Sequence, residues 1–158
     1  MATTTYAGAE TGTTTRGPAD TLGRLFIASE PATRALITSP EAAADALAPV
    51  LHGLDREGCA VAYLDTKHRV LGIELVSLGT VDHTFMAPRD IMRGALLANA
   101  TAVVVAHNHP SGELEPSADD EHVTRRIVAA GEVVGVDVLD HLITSGDAWV
   151  SLARRGIV

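Results

Sequence analysis

The sequence predicts a mixed α/β domain. Three observations lead there. Helix-start signatures occur at three separated points, short β-branched apolar runs lie between them, and the order of helices and strands is intermixed without strict alternation. At 158 residues the chain fits one domain, with a core large enough to need no disulfide framework.

The elements follow in order. Residues 1–20, MATTTYAGAETGTTTRGPAD, are rich in Thr and Gly and have no apolar period, so they read as a disordered tail. Residues 21–38 carry Leu22, Leu25, Phe26, Ile27, Leu36 and Ile37, and read as a short segment of helical pieces packed on the domain. The domain itself spans 39–158. It opens at Ser39-Pro40-Glu41, which supplies an N-cap, a proline at the first helical position and an acid in the first turn. The helix runs through AAADALAPVLHGL, with a kink expected at Pro49. Gly58 to Asp65 is a strand, Thr66-Lys67-His68 a turn, and Val70 to Leu78 the hairpin partner. Pro88-Arg89-Asp90 starts a second helix, which Asn99 ends. Ala102 to Ala106, AVVVA, is apolar on both faces and reads as a central strand. Ser117 caps a third helix, with acids at 119–121 in its first turn, and that helix is expected to stop near Ala130-Gly131. Val134 to Thr144 reads as a strand, 145–147 as a turn, and 148–152 as a last strand.

Composition removes several classes of function. Twelve basic against twenty acidic residues leave a formal charge of −8, which opposes a large phosphate-binding surface. Aromatics at 3% are too few for a base-stacking platform. The single cysteine, Cys59, excludes an internal disulfide and any Cys-rich zinc finger. No apolar run is long enough to span a bilayer, and the first residues lack a secretory pattern, so no membrane association and a cytoplasmic location are expected.

The chemistry concentrates in His107-x-His109-x₇-Ser117-x₂-Asp120. Residues at i and i+2 of an extended segment point to the same face, so both imidazoles can reach one metal. Asp120 lies in the first turn of the next helix, after a loop punctuated by Pro110, Gly112 and Pro116. Two histidines and one carboxylate leave a fourth position for water, as in a catalytic zinc site. Asp119 competes as ligand, and the Ser-x-x-Asp spacing selects Asp120. A base outside the ligand set is still required. Ser117 offers either a helix cap or a hydroxyl for a developing oxyanion, and the two roles are compatible. His52, His68, His83 and His122 read as surface or core residues. His141, beside Asp140, reads as structural in preference to supporting the site. Cys59 reads as a small buried side chain. Asn108 points away from the histidine pair and is suited to tying the loop.

These residues resemble the JAB/MPN metalloprotease (JAMM) motif, and within it the RadC-like branch. Matching blocks are YLDTKHRV (63–70), Gly79-Thr80, Pro88-Arg89-Asp90, AHNHPSG (106–112), Thr124-Arg125-Arg126 and LDHLI (139–143), over most of the chain from Ser39 onward. The resemblance implies the cytidine-deaminase-like MPN/JAB fold, a central mixed β-sheet flanked by helices. It also implies one Zn²⁺ per chain on His107, His109 and Asp120, and a hydrolase acting on peptide or isopeptide bonds. The family's general base is a Glu at the start of the first strand. Glu57, Glu74 and Glu113 are the acids within reach, and Glu57 matches the family position by its register against Leu64-Asp65-Thr66. Glu113 and Glu115 stand where relatives often carry Asp-Pro. With the His-to-Ser spacing intact, altered substrate contacts are expected rather than loss of the metal.

Other readings differ in what they require. A RadC-type role in DNA repair, or as a mobile-element accessory, goes with the N-terminal helix–hairpin–helix module that relatives often carry. The 38 residues ahead of the domain here do not read as one, and at this charge no nucleic-acid binding is expected without a partner. A non-catalytic MPN scaffold usually has a broken motif, whereas every position is filled. An HNH nuclease spreads its letters over a ββα unit, and a zinc deaminase needs a Cys-x-x-Cys pair. No oligomeric state follows from the sequence.

Overall fold

The computed structural model of the protein describes residues 35–80 and 85–158. The tail at 1–20, most of segment 21–38, and His83 lie outside the described residues. The elements are α1 (Pro40–Leu51), β1 (Gly58–Leu64), β2 (Val70–Leu78), α2 (Pro88–Leu97), β3 (Ala102–Asn108), α3 (Ala118–Val134), β4 (Asp137–Ser145) and β5 (Ala148–Ser151). They build a five-stranded mixed sheet in the order β2-β1-β3-β4-β5, with helices on both faces. This is the α/β class that the element order predicts.

Local chemistry sets the boundaries. The Ser39 side chain accepts the Ala42 amide at the start of α1, and the helix ends at Leu51, two residues past Pro49. Asn99 takes a left-handed φ of 55° just beyond α2. β1 pairs antiparallel with β2 and β3, whereas β3 and β4 are parallel. A parallel pair needs a long crossover, and α3 supplies it.

The central strands β1 and β3 are buried along their whole length, as the two-faced AVVVA run requires. On one face Leu47 and Leu51 of α1 cover Ala60, Ala62, Leu64, Val104 and Ala106. On the other, Ile91, Met92 and Ala95 of α2 and Ile127 of α3 cover Cys59, Val61, Tyr63, Val103 and Val105. Burying each Val or Leu side chain contributes roughly 1.5–3 kcal/mol, so this aromatic-poor core is built from many small contributions.

Two expectations are corrected. Residues 35–38 are extended rather than helical: Leu36 forms a β-bridge with Arg69, and the Ile37 amide donates to the His68 carbonyl. The third helix does not stop at Gly131 but runs to Val134 and ends on Gly135, whose φ is 74°. Gly131 has another role. A Cβ there would stand 2.3 Å from the Val136 carbonyl oxygen, so the glycine lets the returning chain cross close over the helix. The strand consequently begins at Asp137 rather than Val134.

Cys59 is fully buried, and burial pushes its thiol up to about 12. The native protein should therefore leave its only cysteine unreactive toward an aromatic disulfide reagent near pH 8, and release one equivalent on denaturation. Rapid labelling of the folded chain would contradict this packing.

Candidate metal centre

The site forms where β3 ends and α3 begins. His107 is the penultimate residue of β3 and is fully buried, and His109 follows one residue past the strand. The end of β4 holds the backbone there. The His109 amide donates to the Thr144 carbonyl at 2.8 Å, and the Ser145 hydroxyl donates to the His109 carbonyl at 2.9 Å. The chain then turns at Pro110-Ser111-Gly112, where Gly112 takes a φ of 92° that other residues rarely adopt. This turn lets the loop double back so that α3 starts beside the two imidazoles.

Asp120 enters through a capping box. The Asp120 amide donates to Ser117 Oγ at 3.1 Å, and the Ser117 amide donates to Asp120 Oδ2 at 2.8 Å. The Ser117 hydroxyl also donates to Oδ2, at 2.6 Å. Its hydrogen is thus engaged by Asp120. With Oδ2 occupied twice, Oδ1 is left to face His107 Nε2 at 3.2 Å. Burial opposes the charge on Asp120, and the Ser117 amide and hydroxyl, both donating to Oδ2, favour it. The amino end of α3 adds a favourable dipole for the acid.

His107 Nε2 and His109 Nε2 lie 2.9 Å apart, and His109 Nε2 is 3.7 Å from Asp120 Oδ2. Tetrahedral zinc with bonds of about 2.0–2.1 Å spaces its ligand atoms about 3.3 Å apart; the 2.9 Å between the two Nε2 atoms and the 3.2 Å from His107 Nε2 to Asp120 Oδ1 are near that spacing. The tautomer agrees. His109 Nδ1 lies 2.8 Å from the Glu113 carbonyl, which can only accept, so Nδ1 carries the hydrogen and a neutral ring keeps its lone pair at Nε2. Lone pairs and a carboxylate converging on one point are satisfied by a cation. His107, His109 and Asp120 therefore form a set that can bind a metal ion.

Glu57 sits just before β1, partly buried, in the wall of the same cleft. The register pairs Cys59 with His107, so Glu57, two residues earlier, shares their face of the sheet. Its backbone is held on both sides of the strand. The Glu57 amide donates to the Thr80 carbonyl, and the Glu57 carbonyl accepts from the Gly79 amide. Asn108 brackets it: Oδ1 accepts from the Gly58 amide at 2.7 Å, and Nδ2 donates to the Arg56 carbonyl at 3.0 Å. Among the described residues the Glu57 carboxylate makes no hydrogen bond or ion pair. Glu74 is engaged elsewhere, buried and accepting the Tyr63 hydroxyl at 2.6 Å. Glu113 contributes its main-chain carbonyl to His109, its carboxylate in the cleft wall making no hydrogen bond or ion pair among the described residues, and Glu115 pairs with Arg155 at 2.6 Å. The cleft has a volume of about 890 Å³ and includes Glu57, His109, Ser117 and Asp120 in its walls.

Two residues have a place that sequence reasoning did not assign. His141, read as structural, packs with Nε2 2.8 Å from His107 Nδ1, and its Nδ1 lies 2.6 Å from Thr124 Oγ1. Burial and the adjoining His107 hold His141 well below the ordinary imidazole range, so the ring is neutral. The signal was in the topology: β4 lies parallel beside β3, with Val105 opposite His141. His122 is exposed in the cleft wall.

The model of the RadC-like JAB domain matches residues 37–157. This chain belongs to the RadC-like JAB domain family. Among curated relatives it is 46% identical over 138 residues to a UPF0758 protein of Alcanivorax borkumensis, covering 87% of this chain and 61% of that protein. It is 39% identical over 137 residues to a UPF0758 protein of Desulfitobacterium hafniense, covering 87% and 60%. A UPF0758 protein of Rubrobacter xylanophilus is 39% identical over 135 residues, covering 85% and 59%. The chain thus spans about three fifths of the length of these relatives. In this RadC-like domain no helix among the described residues is long and apolar enough to cross a membrane.

Asn108 generates a direct prediction. Asn108→Ala leaves the buried Gly58 amide without its acceptor, which costs about 1–3 kcal/mol. Urea denaturation should show that loss, and an unchanged midpoint would contradict the role assigned to Asn108.

Proposed function

We propose that this RadC-like JAB domain is a zinc-dependent hydrolase that cleaves an amide bond in a peptide or isopeptide substrate. The observation carrying this reading is the convergence of His107, His109 and Asp120 at 2.9, 3.2 and 3.7 Å, with an unengaged Glu57 in the same cleft. Two imidazoles and a carboxylate are a borderline donor set that suits zinc better than magnesium or calcium. When bound, zinc supplies a Lewis acid that polarises a carbonyl and acidifies water.

The protein's own residues supply the rest. Glu57 takes a proton from the attacking water and delivers it to the leaving nitrogen. Its lack of a side-chain partner leaves both carboxylate oxygens available, and its doubly anchored backbone fixes the point in the cleft wall from which they reach. Ser117 holds Asp120 through Oδ2. To donate to an oxyanion as well, its hydroxyl must turn from Asp120 toward the cleft, so its helix-capping and positioning role comes first. Arg89 and Arg126 line the cleft without an ion pair among the described residues, and are placed to engage carbonyl or carboxylate oxygens of an extended substrate.

Zinc content of the purified chain and cleavage of peptide and isopeptide libraries test the proposal together. One zinc per chain is expected, lost in His109→Ala and Asp120→Ala. Glu57→Gln should retain the metal but lose about 10²–10⁴-fold in turnover, the range for removing a general acid–base. Equal turnover in that variant would reject Glu57 as the base, and a protein that never takes up zinc would reject the whole reading. Ser117→Ala should lower stability by about 1 kcal/mol through loss of the cap and weaken zinc retention, checked by thermal unfolding with and without the metal.

A further inference from the structure

His107 is the ligand with the least freedom and the least obvious support. Its ring is fully buried, and Nδ1 faces no carboxylate or carbonyl of the kind that usually orients a metal-bound imidazole. It faces another imidazole instead, His141 Nε2 at 2.8 Å. Two nitrogen atoms at that distance need one hydrogen between them, and the neighbouring bonds decide where it lies.

The accounting starts at Thr124. Its hydroxyl lies 2.6 Å from the Asp120 main-chain carbonyl, which can only accept, so the single hydroxyl hydrogen points there. Thr124 Oγ1 must then accept from His141 Nδ1, 2.6 Å away. A neutral His141 with hydrogen on Nδ1 has its lone pair on Nε2. That lone pair accepts from His107 Nδ1, which leaves the His107 lone pair on Nε2, aimed at His109 and Asp120. The chain of donors thus runs from His107 through His141 and Thr124 to the backbone of Asp120, and Asp120 Oδ1 stands 3.2 Å from the His107 ring where it began. The ring closes over three elements: β3, β4 and α3.

We propose that His141, acting with Thr124, is a positioning residue that locks His107 in its metal-binding tautomer and couples that ligand to the helix carrying Asp120. The inference rests on reading the triad as a zinc site. His141 is itself held from behind. Asp140 Oδ1 accepts the His141 and Ala153 amides at 2.7 and 3.0 Å, and Asp140 Oδ2 accepts the Ser151 hydroxyl at 2.6 Å. No buried side-chain nitrogen or oxygen among the described residues lacks a partner, so the network has no slack to re-form around a missing member.

The test is Zn²⁺ affinity by chelator competition on the full chain, with Co²⁺ absorption as a report of ligand geometry. His141→Leu fills similar space but cannot accept from His107 Nδ1, and is expected to lose about 10–100-fold in Zn²⁺ affinity and alter the Co²⁺ spectrum. His141→Gln places an amide oxygen as acceptor and should recover much of that loss. Thr124→Val is nearly isosteric and removes only the hydroxyl. It should weaken Zn²⁺ several-fold, and it decides the matter if His141→Leu fails to fold. Wild-type affinity in a folded His141→Leu, equal affinities for the Leu and Gln variants, or an unaltered Thr124→Val would each overturn the assignment. A wild-type chain that binds no Zn²⁺ would instead overturn the metal reading beneath it.

Discussion

The two oxygens of Asp120 do different work, and the site depends on that division. Oδ2 takes the Ser117 amide and hydroxyl and so closes the cap of α3. Oδ1 is thereby turned toward His107. One residue terminates the crossover loop, starts the helix and completes the ligand set. The stability of the helix end and the geometry of the candidate metal site are consequently the same interaction seen from two sides. An N-cap side chain such as that of Ser117 is worth about 1 kcal/mol at an ordinary helix. Here the same contact also determines which carboxylate oxygen is available.

The sheet supplies rigidity on the opposite side. β3 lies between β1 and β4, so each neighbour reaches its end. Through β1 comes Glu57, registered against the histidine segment by Asn108. Through β4 come the main-chain bonds to His109 and the ring of His141. Glu57 makes no side-chain hydrogen bond or ion pair among the described residues, beside His107, His109 and Asp120, which are each tied to a neighbour. On the surface Arg154 pairs with Glu41 and Arg155 with Glu115.

Much of this was legible locally. The Ser-Pro-Glu start of α1, the left-handed Asn99 and the Ser117 cap are signals written within four or five residues, and each has its expected place. The His-x-His pair is legible for the same reason, because strand alternation alone puts both rings on one face. Gly131 misled because a glycine can end a helix or make room beside one, and the two uses look alike in sequence. Only the return of the chain at Val136 separates them. His141 was set aside for a related reason: nothing near it in sequence bears on His107, which lies 34 residues away.

By itself, then, the sequence determined the class of fold, the ligand types and their spacing, because helix caps, strand alternation and side-chain chemistry act over short range. The tertiary structure decided which oxygen of Asp120 faces His107, that Glu57 stands in the same cleft, and which ring contacts His107. Those outcomes depend on hydrogen bonds between β1, β3, β4 and α3. Such bonds form only after the parallel crossover has brought distant segments side by side, and no local pattern encodes where their hydrogens come to rest.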